Sequence, residues 1–116
     1  MGKILSDAEI RAYADEGYHF PVRVMSPAQA TAIRSKVEAF EADQLTAGVK
    51  GTRMQKLYLL LTWMNDIVRN PTLLDAVEDV LGPDILCWQS SFFIKDPSSP
   101  NKKLRKSLLL ISVERR

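Results

Sequence analysis

The stretch GPDILCWQSSFFIKDPSSPN, residues 82–101, indicates which kind of fold this chain adopts. Gly82 and Pro83 end a helical pattern, and the run 85–94 that follows mixes β-branched, aromatic and small side chains. Because the turn sequence Asp-Pro-Ser-Ser-Pro at 96–100 closes this run, we predict a buried β-strand. Its backbone groups need partners, so another part of the chain is expected to pair with it.

Four helices are predicted ahead of this strand, and start and stop signals mark their ends. A Ser-x-x-Glu capping box opens the first over about 7–16, and a Ser-Pro pair opens the second over about 27–45. The third is expected over 54–68, after a loop at 48–53, and the fourth over 71–81. Helical spacing predicts these inward-facing residues: Ile10, Tyr13, Ala30, Ile33, Val37, Phe40, Leu45, Leu57, Leu60, Leu61, Met64, Ile67, Val68, Leu74, Val77 and Leu81.

The predicted fold class is α+β, with too little strand to close a sheet. The clearest candidate partner for the strand is the short extended run 18–24, in which Pro21 favours an edge position. Residues 108–113 are a second candidate, although their apolar and polar side chains do not alternate cleanly.

Bulk composition excludes several classes of protein. The 116 residues, 46% hydrophobic and 26% charged, have the composition of one globular domain. No apolar run is long enough to cross a bilayer and no signal-peptide pattern is present, so we expect a cytoplasmic protein without a transmembrane segment. Cys87, the one cysteine, is expected to act as a small buried hydrophobic residue.

The charge of the chain changes after residue 100. Residues 1–100 contain ten Lys/Arg and thirteen Asp/Glu, a net −3, whereas residues 101–116 contain six and one, a net +5. We therefore predict a domain over 1–100 and a divergent basic tail over 101–116. Such a tail can bind nucleic acid or anionic membranes, but a solvated charge run is the favoured interpretation. Since the tail has no aromatic residue to stack on bases, no specific nucleic-acid partner is expected.

Three stretches taken together resemble one enzyme family. The first runs over 5–28, the second is WMNDIVRNP at 63–71, and the third runs over 73–95 into the strand described above. In this order and spacing they are similar to the N-terminal portion of the phytanoyl-CoA dioxygenase family of non-haem Fe(II)/2-oxoglutarate oxygenases, over about residues 5–100. The resemblance implies an N-terminal helical layer plus one or two strands of a truncated double-stranded β-helix, or jelly-roll.

In that family an H-x-D pair follows this strand and a second His lies far downstream, and the three side chains bind iron. Here the sequence KKLRKSLLLISVERR follows at 102–116, and the only histidine is His19, which is expected to be structural or exposed. The full-length family uses Fe(II) and 2-oxoglutarate, whereas no cofactor is expected for this chain. We predict a truncated dioxygenase-like protein that is inactive alone, so whether the chain is an enzyme stays open. A changed reading frame after Asn101 is one hypothesis for the missing motif.

Two residues are candidate co-substrate contacts by resemblance. Lys56 lies where family members have a Lys-x-His pair, with Tyr58 at the His position, and Ser91 matches a strand position whose side chain lines the same pocket. The resemblance implies that both residues contact 2-oxoglutarate. A solvated lysine and a packed serine are the favoured interpretation, because a site needs its whole constellation. No catalytic or metal-ligating residue is predicted.

A different class of function stays open beside the truncated enzyme. The chain can be a small helical binding or regulatory module that self-associates, or pairs with a partner, through an exposed strand edge. The acidic residues Asp75, Glu78 and Asp79, which share one predicted helix, are interpreted as solvated charges rather than a site.

Overall fold

A computed structural model describes residues 2–43, 55–93 and 108–115. These ranges contain four α-helices, a 3-10 helix and a two-stranded sheet, which confirms the α+β class. In chain order they are α1 (Asp7–Glu16), α2 (Pro27–Ala42), the 3-10 helix (Leu57–Leu59), α3 (Thr62–Val68), α4 (Pro71–Leu81), β1 (Ile85–Phe93) and β2 (Leu108–Arg115). None of the helices in the described ranges is long and apolar enough to cross a membrane.

Local capping signals account for the starts of α1 and α2. At α1, the Ser6 hydroxyl accepts a hydrogen bond from the Glu9 amide, and the Glu9 carboxylate accepts one from the Ser6 amide. Ser26 and Gln29 form the same reciprocal pair at α2. Gly17 ends α1 with a φ of 82°, a left-handed conformation that glycine adopts without Cβ strain. The predicted bounds of α1 are therefore confirmed.

The predicted helix over 54–68 is wrong in its first half. Gln55 forms a β-bridge with Ser91, and Leu57–Leu59 forms the 3-10 helix before α3 begins. A 3-10 helix has 3.0 residues per turn instead of 3.6, so the inward stripe of an α-helix does not continue through it. As a result Leu60, which the helical spacing places in the core, is 79% exposed.

The strand of the opening stretch pairs with the end of the described chain. β1 is antiparallel to β2, with Ile85 opposite Arg115, and a register shift lies beside Trp88. The second candidate partner is thereby confirmed. The prediction that 18–24 forms a strand is wrong, because the other edge of β1 is occupied by the residues just before the 3-10 helix.

The core lies where the helices meet the sheet. Leu57, Met64 and Ile67 form a buried cluster, and half-buried side chains from α2, α3 and both strands pack against it. These are Ile33, Phe40, Tyr58, Leu61, Trp63, Phe92 and Ile111. The prediction that Ala30 faces inward is wrong: it is exposed, because α2 reaches the core through Ile33 and Phe40.

The predicted fourth helix is confirmed as α4. The Asn70 side chain caps it by accepting a hydrogen bond from the Leu73 amide, and Gly82 follows it with a φ of 88°. The predictions for residue 45, the loop 48–53 and residues 94–107 lie outside the described residues.

Candidate functional site

The two candidate co-substrate residues lie on neighbouring segments of backbone. Gln55 bridges to Ser91 on the side of β1 away from β2, and the Lys56 amide donates to the Ser90 carbonyl oxygen at 2.8 Å. Lys56 is exposed and Ser91 is half-buried. The structure therefore brings the two sequence positions together, while their contact with 2-oxoglutarate stays a prediction.

Lys56 has an unusual backbone conformation for a residue with a side chain. Its φ of 56° and ψ of 28° lie in the left-handed region, which costs a non-glycine residue about 1–2 kcal/mol. The bond from Lys56 to Ser90, and a 3.0 Å bond from the Leu59 amide to the Lys56 carbonyl, hold the turn in place. Because such outliers cluster at functional sites, the turn is a candidate site in its own right.

Sequence reasoning missed Ser90, the neighbour of Ser91. Its side chain is 1% exposed, and its hydroxyl has no hydrogen-bond partner in the described ranges. A buried polar group without a partner costs about 1–3 kcal/mol, so it is rare. The sequence does show two serines inside an apolar strand, which is a sign of a buried polar group. However, the register shift beside Trp88 interrupts the alternation of inward and outward side chains, so the sequence does not show which serine faces inward.

Tyr58, which stands at the family's His position, makes a structural contact. Its hydroxyl donates to the Cys87 carbonyl oxygen at 3.4 Å. Burial raises the pKa of Tyr58, with smaller contributions from Cys87, and burial likewise raises the pKa of the Cys87 thiol. Both side chains are therefore neutral near pH 7, and Cys87 is not an activated thiolate. Cys87 is half-buried rather than fully buried as predicted.

The donor atoms of this chain do not fit an iron site of the 2-His-1-carboxylate type. That site needs two imidazoles, and His19 is the single histidine of the sequence. His19 Nε2 is enclosed, lies 3.5 Å from Glu9 Oε1 and makes no hydrogen bond with any residue in the described part of the chain. Across residues 2–43, 55–93 and 108–115, no three His, Cys, Asp or Glu side chains are grouped to hold a metal ion.

The acidic side chains of α4 bind the N-terminal segment. Lys3 Nζ lies 3.1 Å from Asp75 Oδ1 and 2.5 Å from Glu78 Oε2, contacts that raise the pKa of Lys3, with Glu78 the larger cause. The interpretation of these carboxylates as merely solvated charges is therefore wrong. They are half-buried and paired, and ion pairs that are this open to solvent contribute little stability by themselves.

Asp79 makes the stronger connection to the same segment. Its carboxylate accepts hydrogen bonds from the amides of Lys3, Ile4 and Leu5 at 2.6, 2.8 and 2.8 Å. These bonds, that of Leu5 foremost, hold the pKa of Asp79 below its ordinary value. Asp79 is thus a structural anchor that sequence reasoning did not find.

A groove of about 250 Å³ lies between α2 and α3. Its walls include Ile33 and Lys36 of α2 and Trp63, Asp66 and Ile67 of α3. None of the candidate co-substrate residues lines it.

The fold of this chain is similar to that of known proteins, whereas comparisons of its sequence find no match. A scan against models of protein families finds no match, and no curated protein matches the sequence. Among solved structures, the chain is similar to CytC3 with Fe(II) and alpha-ketoglutarate, at a TM-score of 0.65 and 21% sequence identity. A second structure of CytC3 gives the same TM-score and identity.

The chain spans well under half of CytC3. The alignments cover 80% of this chain, but 38% of CytC3 in the first structure and 37% in the second. At this identity the likeness shows the fold alone: 80% of this α+β chain matches part of the CytC3 fold. The expected α+β fold fragment is thereby confirmed at the level of fold, by its match to part of the structure of CytC3 with Fe(II) and alpha-ketoglutarate.

Proposed function

We propose that this chain is the N-terminal portion of an Fe(II)/2-oxoglutarate oxygenase fold and has no oxygenase activity by itself. The observation that carries the proposal is the match of 80% of the chain to 38% of CytC3. Within that class of enzymes, the resemblance of residues 5–100 favours the phytanoyl-CoA dioxygenase family as the relative.

The proposed inactivity rests on the number of histidines that could bind iron. Oxygen activation in this class needs an iron ion held by two imidazoles and a carboxylate, with positions left for the keto acid and O2. One histidine, in the segment between α1 and α2, cannot supply two imidazoles. Iron and 2-oxoglutarate are therefore proposed as cofactors of the complete fold and not of this chain.

Within this proposal, Lys56 and Ser91 belong to one wall of a co-substrate pocket that the rest of the fold completes. The bridge between Gln55 and Ser91 and the strained turn at Lys56 support their juxtaposition. Because Lys56 is exposed, its contact with a carboxylate contributes only ~0–1 kcal/mol. That is too little to retain 2-oxoglutarate without further ligands.

Turnover of the purified chain tests the proposal. The chain is incubated with Fe(II), O2 and 2-oxoglutarate, and succinate is measured by mass spectrometry. We expect no iron-dependent succinate above the protein-free blank, while CytC3 with its own reaction partners serves as the positive control. Succinate formation that a chelator abolishes would contradict the proposed inactivity.

The division of the chain at residue 100 stays a prediction. β2 shows that residues 108–115 of the basic segment pair with β1, so this part contributes to the fold. We propose that the positive charges of the segment are solvated and carry no specific nucleic-acid contact. Retention on DNA or on anionic liposomes that falls steeply with added salt would show that these charges bind anions and are not merely solvated.

A second candidate function is a module that binds itself or a partner. It is favoured by large apolar side chains that stay exposed: Leu59 at 69%, Leu60 at 79%, Leu86 at 54% and Trp88 at 45%. In addition, the outer edge of β2 has no further strand beside it in the described ranges. Exposed apolar groups favour association, and an open strand edge favours strand addition.

Light scattering after gel filtration, over a range of concentrations, tests this second function. We expect a dimer that dissociates on dilution, and the variant Leu60→Asp should weaken it. Phe20→Asp is the matched control, because Phe20 is 82% exposed but lies in the segment between α1 and α2. A monomer at every concentration would rule out self-association.

A further inference from the structure

The groove between α2 and α3 carries an inference that is independent of the oxygenase fold. We infer that it binds a small zwitterion with an apolar body, of the chemical class of the aliphatic α-amino acids. The observations behind this are the volume of the groove, its apolar lining and two charges of opposite sign that have no partner in the described part of the chain.

The volume limits the size of the occupant. Pockets for drug-sized ligands have volumes of about 300–1,000 Å³, so a groove of about 250 Å³ fits a smaller molecule. Ile33 and Trp63 are half-buried, and Ile67 is 7% exposed within the core cluster. An apolar side chain placed against these residues loses water on both sides, which favours binding.

The charges determine which small molecule fits. Lys36 on α2 and Asp66 on α3 line the same groove, and neither has an ion pair or hydrogen bond in the described ranges, with each other or with a third residue. By contrast Arg34, on the same helix, is paired with Glu38 at 2.8 Å. Lys36 and Asp66 are therefore both available to a ligand.

The two other polar side chains of the groove, Asn70 and Gln29, already make hydrogen bonds within the protein. The Asn70 amide donates to the Val24 carbonyl oxygen and accepts from the Leu73 amide, and Gln29 accepts from Ser26. A simple anion would face Asp66 and a simple cation would face Lys36, each at a cost in repulsion. A zwitterion satisfies both charges at once, so the groove selects against molecules that have only one of them.

NMR titration of the ¹⁵N-labelled full chain with three related probes tests the inference. L-leucine has both charges, L-leucinamide only the positive one and 4-methylpentanoate only the negative one, on the same aliphatic body. We expect leucine to shift amides of α2 and α3 and to bind at least tenfold more tightly than either analogue. Equal binding of leucine and one analogue, or no shift with leucine at millimolar concentrations, would overturn the proposal.

Single-residue variants distinguish binding in the groove from nonspecific binding elsewhere on the protein. Lys36→Gln and Asp66→Asn are each expected to weaken leucine binding at least tenfold, whereas Arg34→Gln, outside the groove, leaves it unchanged. The reversed pair Lys36→Glu/Asp66→Lys should restore part of the affinity, since a zwitterion can bind turned around. If the single variants bind leucine as the original chain does, the groove is not the site. Circular dichroism verifies that each variant is folded.

Discussion

The helices and the sheet of this protein are stabilised by contacts of different sequence range. In α1 the capping partners Ser6 and Glu9 are three residues apart, so the helix start is specified by neighbours. In the sheet, Ile85 pairs with Arg115, thirty residues further along the chain. A helix end can therefore form before the chain folds, whereas the sheet forms only when distant segments meet.

The N-terminal segment connects these two kinds of contact. Its residues Lys3 to Leu5 bind Asp79, more than seventy positions away, although the helix that follows is capped locally. A Cβ added at Gly2 would overlap the Leu5 carbonyl oxygen and the Asp79 carboxylate, so the bound conformation requires glycine there. The start of α1 is thus defined locally, but the way the segment before it docks on α4 is not.

The largest effect is expected at Met64, where the helices meet the sheet. Met64 is 0% exposed, in the cluster that α2, β1 and β2 contact. Met64→Ala should lower the free energy of unfolding by about 2–5 kcal/mol, because it leaves a cavity. Urea denaturation followed by circular dichroism measures this. Leu59→Ala, at a position 69% exposed, is the control and should change it by at most about 0.5 kcal/mol.

The long-range anchor of the helical part is tested at Asp79. Asp79→Asn replaces a charged acceptor of three amide hydrogen bonds, so it should lower the urea midpoint clearly. Asp84→Asn, at an exposed position just before β1, should leave the midpoint nearly unchanged. Equal effects of the two substitutions would show that the N-terminal segment is not anchored by Asp79.

The pH dependence of the same variant gives a second measurement. Because the pKa of Asp79 is lower in the folded state, its stabilisation is fully present above the ordinary aspartate pKa of about 3.9. It is lost as the pH falls through the lower, folded value. The difference in midpoint between the original chain and Asp79→Asn should therefore shrink below about pH 4. A difference that stays constant would contradict the hydrogen-bonded carboxylate.

The contribution of local capping to helix stability is tested at the start of α2. Ser26→Ala removes the hydroxyl that accepts from the Gln29 amide, and the free energy of unfolding should fall by about 1 kcal/mol. Ser35→Ala, later in the same helix, removes a hydroxyl bonded back to the Thr31 carbonyl oxygen and should be nearly neutral. A larger loss at Ser35 than at Ser26 would mean that capping does not define this helix.

The smallest effect, of opposite sign, is expected at Ser90 in the sheet. Its buried hydroxyl has no hydrogen-bond partner among the residues that the structure describes, so Ser90→Ala should be neutral or raise the free energy of unfolding by up to about 1 kcal/mol. The urea midpoint measures this change. A loss of more than about 1 kcal/mol would show that the hydroxyl has a partner, such as a buried water molecule.

The elements that the sequence predicts correctly are those whose stabilising contacts are between near neighbours in the chain. Capping residues predicted α1 and α4 closely, because their partners are neighbours. Helical spacing predicts a core position for Leu60, which is wrong, because the spacing of apolar residues does not reveal a 3-10 helix. The residues of the run 18–24 suit a strand and predict one, but Gln55 lies against that edge of β1 instead.

The candidate site shows the same limit. Resemblance to a family pointed to Lys56 and Ser91, but only the bridge at Gln55 shows that their segments are adjacent. Ser90 was missed because the register shift decides which serine is buried. Asp79 was missed because its partners are backbone amides, which have no signature in the sequence.

The sequence by itself determined where the capped helices begin and that two imidazoles are not available for iron, because these depend on residue identity and near neighbours. The tertiary structure alone decided that β2 is the partner of β1, that Asp79 anchors the N-terminal segment, and that Lys36 and Asp66 share one groove. The reason is physical: strand pairing, anchoring and grooves depend on the packing of distant segments, and that packing is selected by the burial of the whole core.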